Sequence, residues 1–235
     1  LARNNDAQAR ILSSLTIGTT QAIAGAVDRQ LDGLSITLRV LESSSALDEE
    51  SLSAFHERAA RALAGSGAYL LVLNDQLEQL LNTRVEFGAP LGRTSDPESA
   101  RRAIDNGTPV VSGVFYGRTA DTWVFNVARP IPIQPSGARL MIMTQNAASL
   151  APALTTRQLP PGWNVAVVDG EGRVINAPLE ADLSIGDAFP ISLDPEDALQ
   201  GTWRNVDIAG VPSTVVHWNV TNSGWRVVSW APRAA

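Results

Sequence analysis

Two stretches of this chain, 94 residues apart, follow the same order of elements, and a chain that repeats one structural order is expected to fold as two like modules. "AYLLVLNDQLEQLLNTR" reads as strand, turn at Asn74-Asp75, strand. "NVAVVDGEGRVIN" reads the same way, with its turn at Asp169-Gly170-Glu171-Gly172. Laying one over the other puts Asp169 on Asp75 and Asn176 on Asn82. Downstream, "SDPESARRAIDNGT" predicts a short helix capped by Asp96, with Pro97 at its first position and Gly107 closing it. "LDPEDALQGT" predicts its counterpart, with Asp194, Pro195 and Gly201, the last again 94 residues after Gly107. Each helix precedes three strand-like runs: 108–116, 121–130 and 137–145, then 202–208, 213–220 and 224–231. Identity between the copies is slight, so order and spacing carry the reading. It predicts an α+β protein with two modules, each holding a central antiparallel sheet of about five strands.

A long helix precedes the repeats. The first forty residues contain no proline, and Ile23, Val27, Leu31, Leu34, Leu38 and Leu41 step by three and four along one face. From Asn4 to Ser43 such a helix runs ~60 Å at 1.5 Å per residue. The small residues Gly18, Ala22, Gly25 and Ala26 leave room for a second helix to approach. A shorter helix follows, with Ser45 or Asp48 as cap and Leu52, Phe55, Ala59 and Leu63 inward. The helical segment "NAASLAPALTTRQLPPG", ended by Pro160-Pro161-Gly162, links the copies. These features divide the chain into 1–66 (helices), 67–146 (first module), 147–162 (linker helix) and 163–235 (second module).

Composition narrows the function. With 235 residues and 44% hydrophobic content the chain can bury a substantial core. It has no cysteine, which removes disulfides and thiolate metal sites. All 18 basic residues are arginine, but the net charge is −6 and no arginine cluster occurs, so nucleic acid is not an expected partner. No apolar run reaches the ~18 residues of a membrane span.

An enzymatic site is not expected. His56 and His217 are the only histidines, one on a helix flank beside Glu57 and one between Val216 and Trp218 in a strand. Neither has a partner motif, and structural roles suit both. GxSxG, HExxH and phosphate-loop motifs are absent. "VDGEGR" offers Asp169 and Glu171 but is explained as a hairpin turn, so no metal or cofactor is expected. A binding site is better supported. In "DTWVFNVAR", alternation sets Trp123, Phe125, Val127 and Arg129 on one face and Val124, Asn126 and Ala128 on the other. One face packs on helix, and the other is free to build a pocket. Asn126, among apolar residues, needs a polar partner if buried. With Trp123, Ser112, Tyr116, Arg118 and Thr144 it forms the candidate ligand site, and Arg84 is placed to orient an anion. Trp203, Trp218, Trp225 and Trp230 mark the core of the second module or a membrane-interface position.

The hairpin followed by "LLNTRVEFGAPL", then "GTPVVSGVFYG", "WVFNVARPIP", "VAVVDGEGRVI" and the terminal "VTNSGWRVVSWAP", resembles the double Cache (dCache) family of bacterial extracytoplasmic sensor domains. The likeness covers essentially the whole chain and is greatest to the ectodomains of sensor histidine kinases. It implies two PAS-like modules behind a long helix, the first membrane-distal and the second membrane-proximal. It also implies a periplasmic location, flanking transmembrane helices in the full-length chain, a small-molecule ligand in the first module and a possible homodimer through the N-terminal helix. The terminal strand would feed the next membrane helix. The tyrosine-rich signature of the amino-acid-binding subclass is not found, since only Tyr69 and Tyr116 occur. The competing expectation is a dimerising interaction ectodomain, regulated by a periplasmic protein or by membrane state, without a small ligand of its own.

Overall fold

The computed structural model describes residues 2–43, 47, 51–193 and 199–233. Helix α1 (Ala2–Ser43) is continuous over 42 residues. It carries Ile23, Val27, Leu31, Leu38 and Leu41 buried, as the three-and-four stepping predicts, while Leu34 is half-buried. Thr16, Thr20 and Thr37 return their hydroxyls to the carbonyls four residues back, so these polar side chains are satisfied within the helix. Two compact units form. The first module is Gln30–Ser149, and the second is Leu1–Arg29 together with Leu150–Ala235.

In the first module, α2 (Leu52–Leu63) buries Leu52, Phe55, Ala59 and Leu63 as predicted, and His56 with them. The cap positions considered for it, Ser45 and Asp48, lie outside the described residues. His56 Nε2 sits 2.8 Å from the Val85 carbonyl and 3.1 Å from that of Asn82, a structural tie between helix and loop. Strands β1 (Ala68–Asn74) and β2 (Gln79–Asn82) form the predicted hairpin, and α3 (Pro97–Asn106) is capped by Asp96. Gly107 ends it at φ +64°, a conformation glycine adopts without a Cβ clash. The run predicted at 108–116 is interrupted and yields two short strands, β3 (Val110–Val111) and β4 (Phe115–Gly117). The break falls at Ser112, whose hydroxyl accepts from the Asn126 N–H and donates to the Gly113 carbonyl. Strands β5 (Thr122–Pro130) and β6 (Ala138–Asn146) complete a six-stranded sheet of order β2-β1-β6-β5-β3, with β4 also on β5. Arg129 of β5 pairs with Glu42 of α1.

The predicted linker helix is shorter than expected. A 3₁₀ turn (Ala147–Leu150) leads into α4 (Ala151–Thr155), and the chain then runs irregularly to β7 (Asn164–Val168). The Pro160-Pro161 pair removes two backbone donors and fixes φ, which bars helix beyond α4. The second module continues with β8 (Val174–Asn176), β9 (Arg204–Ile208), β10 (Val211–Asn219) and β11 (Arg226–Pro232), in the order β8-β7-β11-β10-β9. This is the order of the first sheet, so the repeat read from spacing is also a repeat of topology. The helix expected at Asp194-Pro195 lies outside the described residues. Within this module the Thr20 and Ser229 hydroxyls meet at 2.8 Å, a buried hydrogen bond joining α1 to β11, and Asp28 accepts from the Thr221 N–H.

Two tests follow from the second module. Gly201 has φ +75°, and a Cβ there would lie 2.8 Å from the Trp218 ring, so Gly201→Ala is expected to cost about 2 kcal/mol in chemical denaturation. His217 is buried, and burial first, then the charges of Arg226 and Arg204, lowers its pKa to about 4. The unfolded chain therefore binds the extra proton first. Stability from this group is present above about pH 6.5 and is lost as pH falls toward 4, by about 1–2 kcal/mol after solvent screening. Melting curves of His217→Gln between pH 7 and 4 should show a flatter pH dependence than the parent.

Candidate ligand-binding site

The antiparallel register of the first sheet builds a polar row on an apolar face. Asn126 on β5 stands opposite Thr144 on β6, and Thr144 opposite Tyr69 on β1. Residues directly opposite share a face, so the three side chains line up across adjacent strands. Around them the same face carries Leu71, Leu73, Val124, Ala128, Leu140 and Ile142, packed with Ala100, Ala103 and Ile104 of α3. The polar row is wired together. The Thr144 hydroxyl donates to Asn126 Oδ1 at 2.7 Å, and Asn126 Nδ2 reaches Asp96 Oδ2 at 3.5 Å.

Asp96 has two duties. Its Oδ1 caps α3 by accepting from the Ser99 N–H, while its other oxygen faces Asn126. Burial pushes its pKa above the usual carboxylate value, against the pull of hydrogen bonds from Ser99 and Asn126 and the charge of Arg102. Tyr69 is also pushed up, chiefly by burial, with Arg84 and Thr144 acting the other way. A half-buried carboxylate beside an amide, a hydroxyl and a phenol is a set able to bind a small polar molecule by directed hydrogen bonds.

Tyr69, Asn126 and Thr144 line a cavity of about 20 Å³, walled also by Gln79, Asn82, Thr94, Phe115 and Gly117, with Asp96 behind Asn126. That is room for about one water molecule. Two exposed arginines lie at this end of the module, Arg118 among the cavity's lining residues and Arg84 beside it over Tyr69. Arg84 lies over the Tyr69 ring at 5.3 Å and donates to the carbonyls of Thr119 and Ala120. Arg118 donates through Nε to Ser95 Oγ and through Nη2 to the Arg93 carbonyl. Together they fasten the β4–β5 turn to the loops on either side of it.

Of the six residues singled out in the sequence, Arg118, Asn126 and Thr144 line this cavity. Ser112 stands behind Asn126 as a backbone brace. Tyr116 and Trp123 are opposite each other across β4 and β5, in edge contact at 5.7 Å, on the face away from Asn126. Phe115, one residue earlier, takes the inward position. Tyr69, Asn82 and Asp96 were not among the six. Alternation within β5 shows which side Asn126 takes, but which strand lies beside it is a matter of sheet order. Asp96 was legible only as a helix cap. Among the described residues no group of three or more His, Asp or Glu converges as a metal site.

No family model matches the chain, and no curated protein sequence matches it. Solved structures do. The extracellular domain described as that of histidine kinase rpHK1S-Z16 superposes with a TM-score of 0.76 at 17% identity, over 97% of this chain and 95% of that one. The ligand-binding domain of Mlp24, solved with asparagine, gives 0.70 at 15% identity over 95% and 94%. That of the Pseudomonas fluorescens chemoreceptor CtaA, in complex with L-isoleucine, gives 0.71 at 10% identity over 98% and 96%. The chain therefore has the fold of double Cache-type sensor domains. No described helix is long and apolar enough to cross a membrane.

The network is expected to contribute to stability before any ligand is added. Asn126→Ala leaves Thr144 and Asp96 short of a buried partner and should cost about 1–3 kcal/mol in urea denaturation. Tyr116→Ala, at an exposed site, should cost clearly less.

Proposed function

We propose that this chain is the extracytoplasmic sensing domain of a transmembrane signalling receptor, of histidine-kinase type, and that its first module binds a small polar molecule. The observation that carries the reading is the row Asn126–Thr144–Tyr69 with Asp96. A core that served packing alone would gain nothing from three polar side chains on an otherwise apolar sheet face met by the carboxylate of a helix cap. The neighbours support the class, since one is the extracellular domain described as that of a histidine kinase, another is the ligand-binding domain of Mlp24 and a third that of a chemoreceptor. The chain is not itself an enzyme in this reading. It is periplasmic, its residues 67–146 form the membrane-distal module and 163–235 the membrane-proximal one, and the full-length chain carries flanking transmembrane helices.

The mechanism follows from the small size of the cavity and the arginine ties beside it. A ligand larger than one water binds only where Arg84 and Arg118 have released the turn at 118–120, so binding shifts the population toward that open form. Repacking of β5 and β6 would reach α1 through the Arg129–Glu42 pair. Helix α1 and strand β11 would carry the change to the membrane and alter the activity of a cytoplasmic kinase.

A second reading has its own support. Ile11, Leu15, Ile36 and Val40 are exposed on α1, and their spacing, with Gly18, Ala22 and Gly33 between, places them on one stripe opposite the buried one. Such a stripe suits a homodimer through this helix, and the small cavity suits an interaction ectodomain that needs no ligand.

A thermal-shift screen of the chain against small metabolites, amino acids and organic acids included, separates the two. A ligand specific to the native state raises the melting temperature by mass action. The ligand reading expects a dose-dependent rise that Asn126→Ala or Thr144→Val abolishes while the far-ultraviolet circular dichroism is retained. No rise with any compound, together with a dimer broken by Leu15→Glu, would favour the interaction reading.

A further inference from the structure

One buried titratable group has no part in the first-module site. His217 is only 3% exposed and lies within β10, the strand between β9 and β11. Register sets its neighbours. Val215 and Asn219 share its face two residues to either side, and Val228 of β11 stands directly opposite. Arg204 of β9 is opposite Val215, and Arg226 of β11 is opposite Asn219. The two arginines therefore sit diagonally on either side of His217, one from each flanking strand. The rest of this face is apolar, with Ala166, Val168, Val215, Val228 and Trp230 in its core. Phe189 covers it, in edge contact with the Trp230 ring at 5.3 Å.

Both guanidinium charges are permanent at any pH the fold survives. Nε and Nη2 of Arg204 are buried with no hydrogen-bond partner among the described residues, so no described carboxylate bonds to either atom. Arg226 has an interaction of its own, yet its charge still opposes a proton on the imidazole. The acidic residues on the neighbouring turns are Asp169, Glu171, Glu180, Asp182 and Asp187, and all but Asp169 are exposed. Asp169 Oδ1 is taken up by the N–H groups of Glu171 and Arg173. Asp207 of β9 is exposed, and Asp194, Glu196 and Asp197 lie outside the described residues. Burial, then Arg226, then Arg204 lower the His217 pKa to about 4, and no acidic residue acts the other way.

We propose that the second module senses protons directly, with His217 as the titrating group. A proton on the imidazole puts a third positive charge on a face that already carries two, where burial leaves little solvent to screen them. Acid then favours a form in which the packing between Phe189 and the sheet is loosened and solvent reaches the imidazole. The geometry that makes the group sensitive is its place in the middle strand, since a histidine on an exposed edge would take up the same proton at little cost. The first-module site has no role in this response, which stands or falls independently of it.

The test is amide hydrogen exchange, followed by NMR on the 235-residue chain between pH 7 and 4 and expressed as protection factors. Protection at Val215, Val228 and Phe189 should fall about tenfold, while that at Leu71, Val127 and Ile142 in the first module should change by less than threefold. His217→Gln keeps a polar side chain without the titration and should lose most of the fall. Arg204→Gln removes one repelling charge, so the titration of the imidazole Cε1 proton should move upward from about 4 and the fall should shrink. The parent comparison needs no variant, and Arg204→Gln serves where His217→Gln does not fold. The proposal is overturned if the second module keeps its protection down to pH 4, if both modules lose protection together, or if the fall is undiminished in whichever variant folds.

Discussion

The register between β5, β6 and β1 is the constraint on which the candidate site rests. Antiparallel pairing sets Asn126, Thr144 and Tyr69 opposite one another, and a slip of one residue in either pairing would send part of the row to the opposite face of the sheet. The apolar residues that flank the row, Leu71, Val124, Ala128 and Ile142, hold that register because their burial fails if it shifts. Burial thus fixes the register, and the register aligns the polar groups. Asp96 joins them from outside the sheet because the cap of α3 points its second oxygen at Asn126.

Much of the fold was legible in the sequence because it is written twice. Hairpin, capped helix and three strand-like runs recur in order, and the two sheets share one strand order. Alternation also placed Asn126 and Trp123 on opposite faces of β5 correctly. What remained hidden depends on partners distant in sequence. Phe115 and Tyr116 are equally plausible inward residues until the pairing of Phe115 with Val124 decides between them. Tyr69 enters only because β6, 70 residues later in the chain, inserts between β1 and β5. The break at Ser112 comes from a hydroxyl bonding to backbone, which hydrophobic pattern does not record.

The two modules share a topology and differ in what their inner faces offer. One presents an amide, a hydroxyl, a phenol and a half-buried carboxylate, and the other two guanidinium groups around a neutral imidazole. The sheet order is indifferent to this choice, since strand pairing is made by backbone groups. Duplication of such a unit gives two frames whose side chains are free to diverge in the ligands they accept.

On the proposed reading, the arginine clasp beside the first cavity has a quantitative consequence for sensitivity. If only a fraction of molecules is open at any moment, the observed dissociation constant is the intrinsic one divided by that fraction, so about one open molecule in a hundred weakens apparent affinity about a hundredfold. The hydrogen bonds from Arg118 to Ser95 and to the Arg93 carbonyl then act as a threshold control. On that reading, changes at Ser95, which touches the clasp, would move the concentration at which a ligand binds without altering which molecule is bound. The proposed function would in this way assign detection range and ligand identity to different residues of the same module.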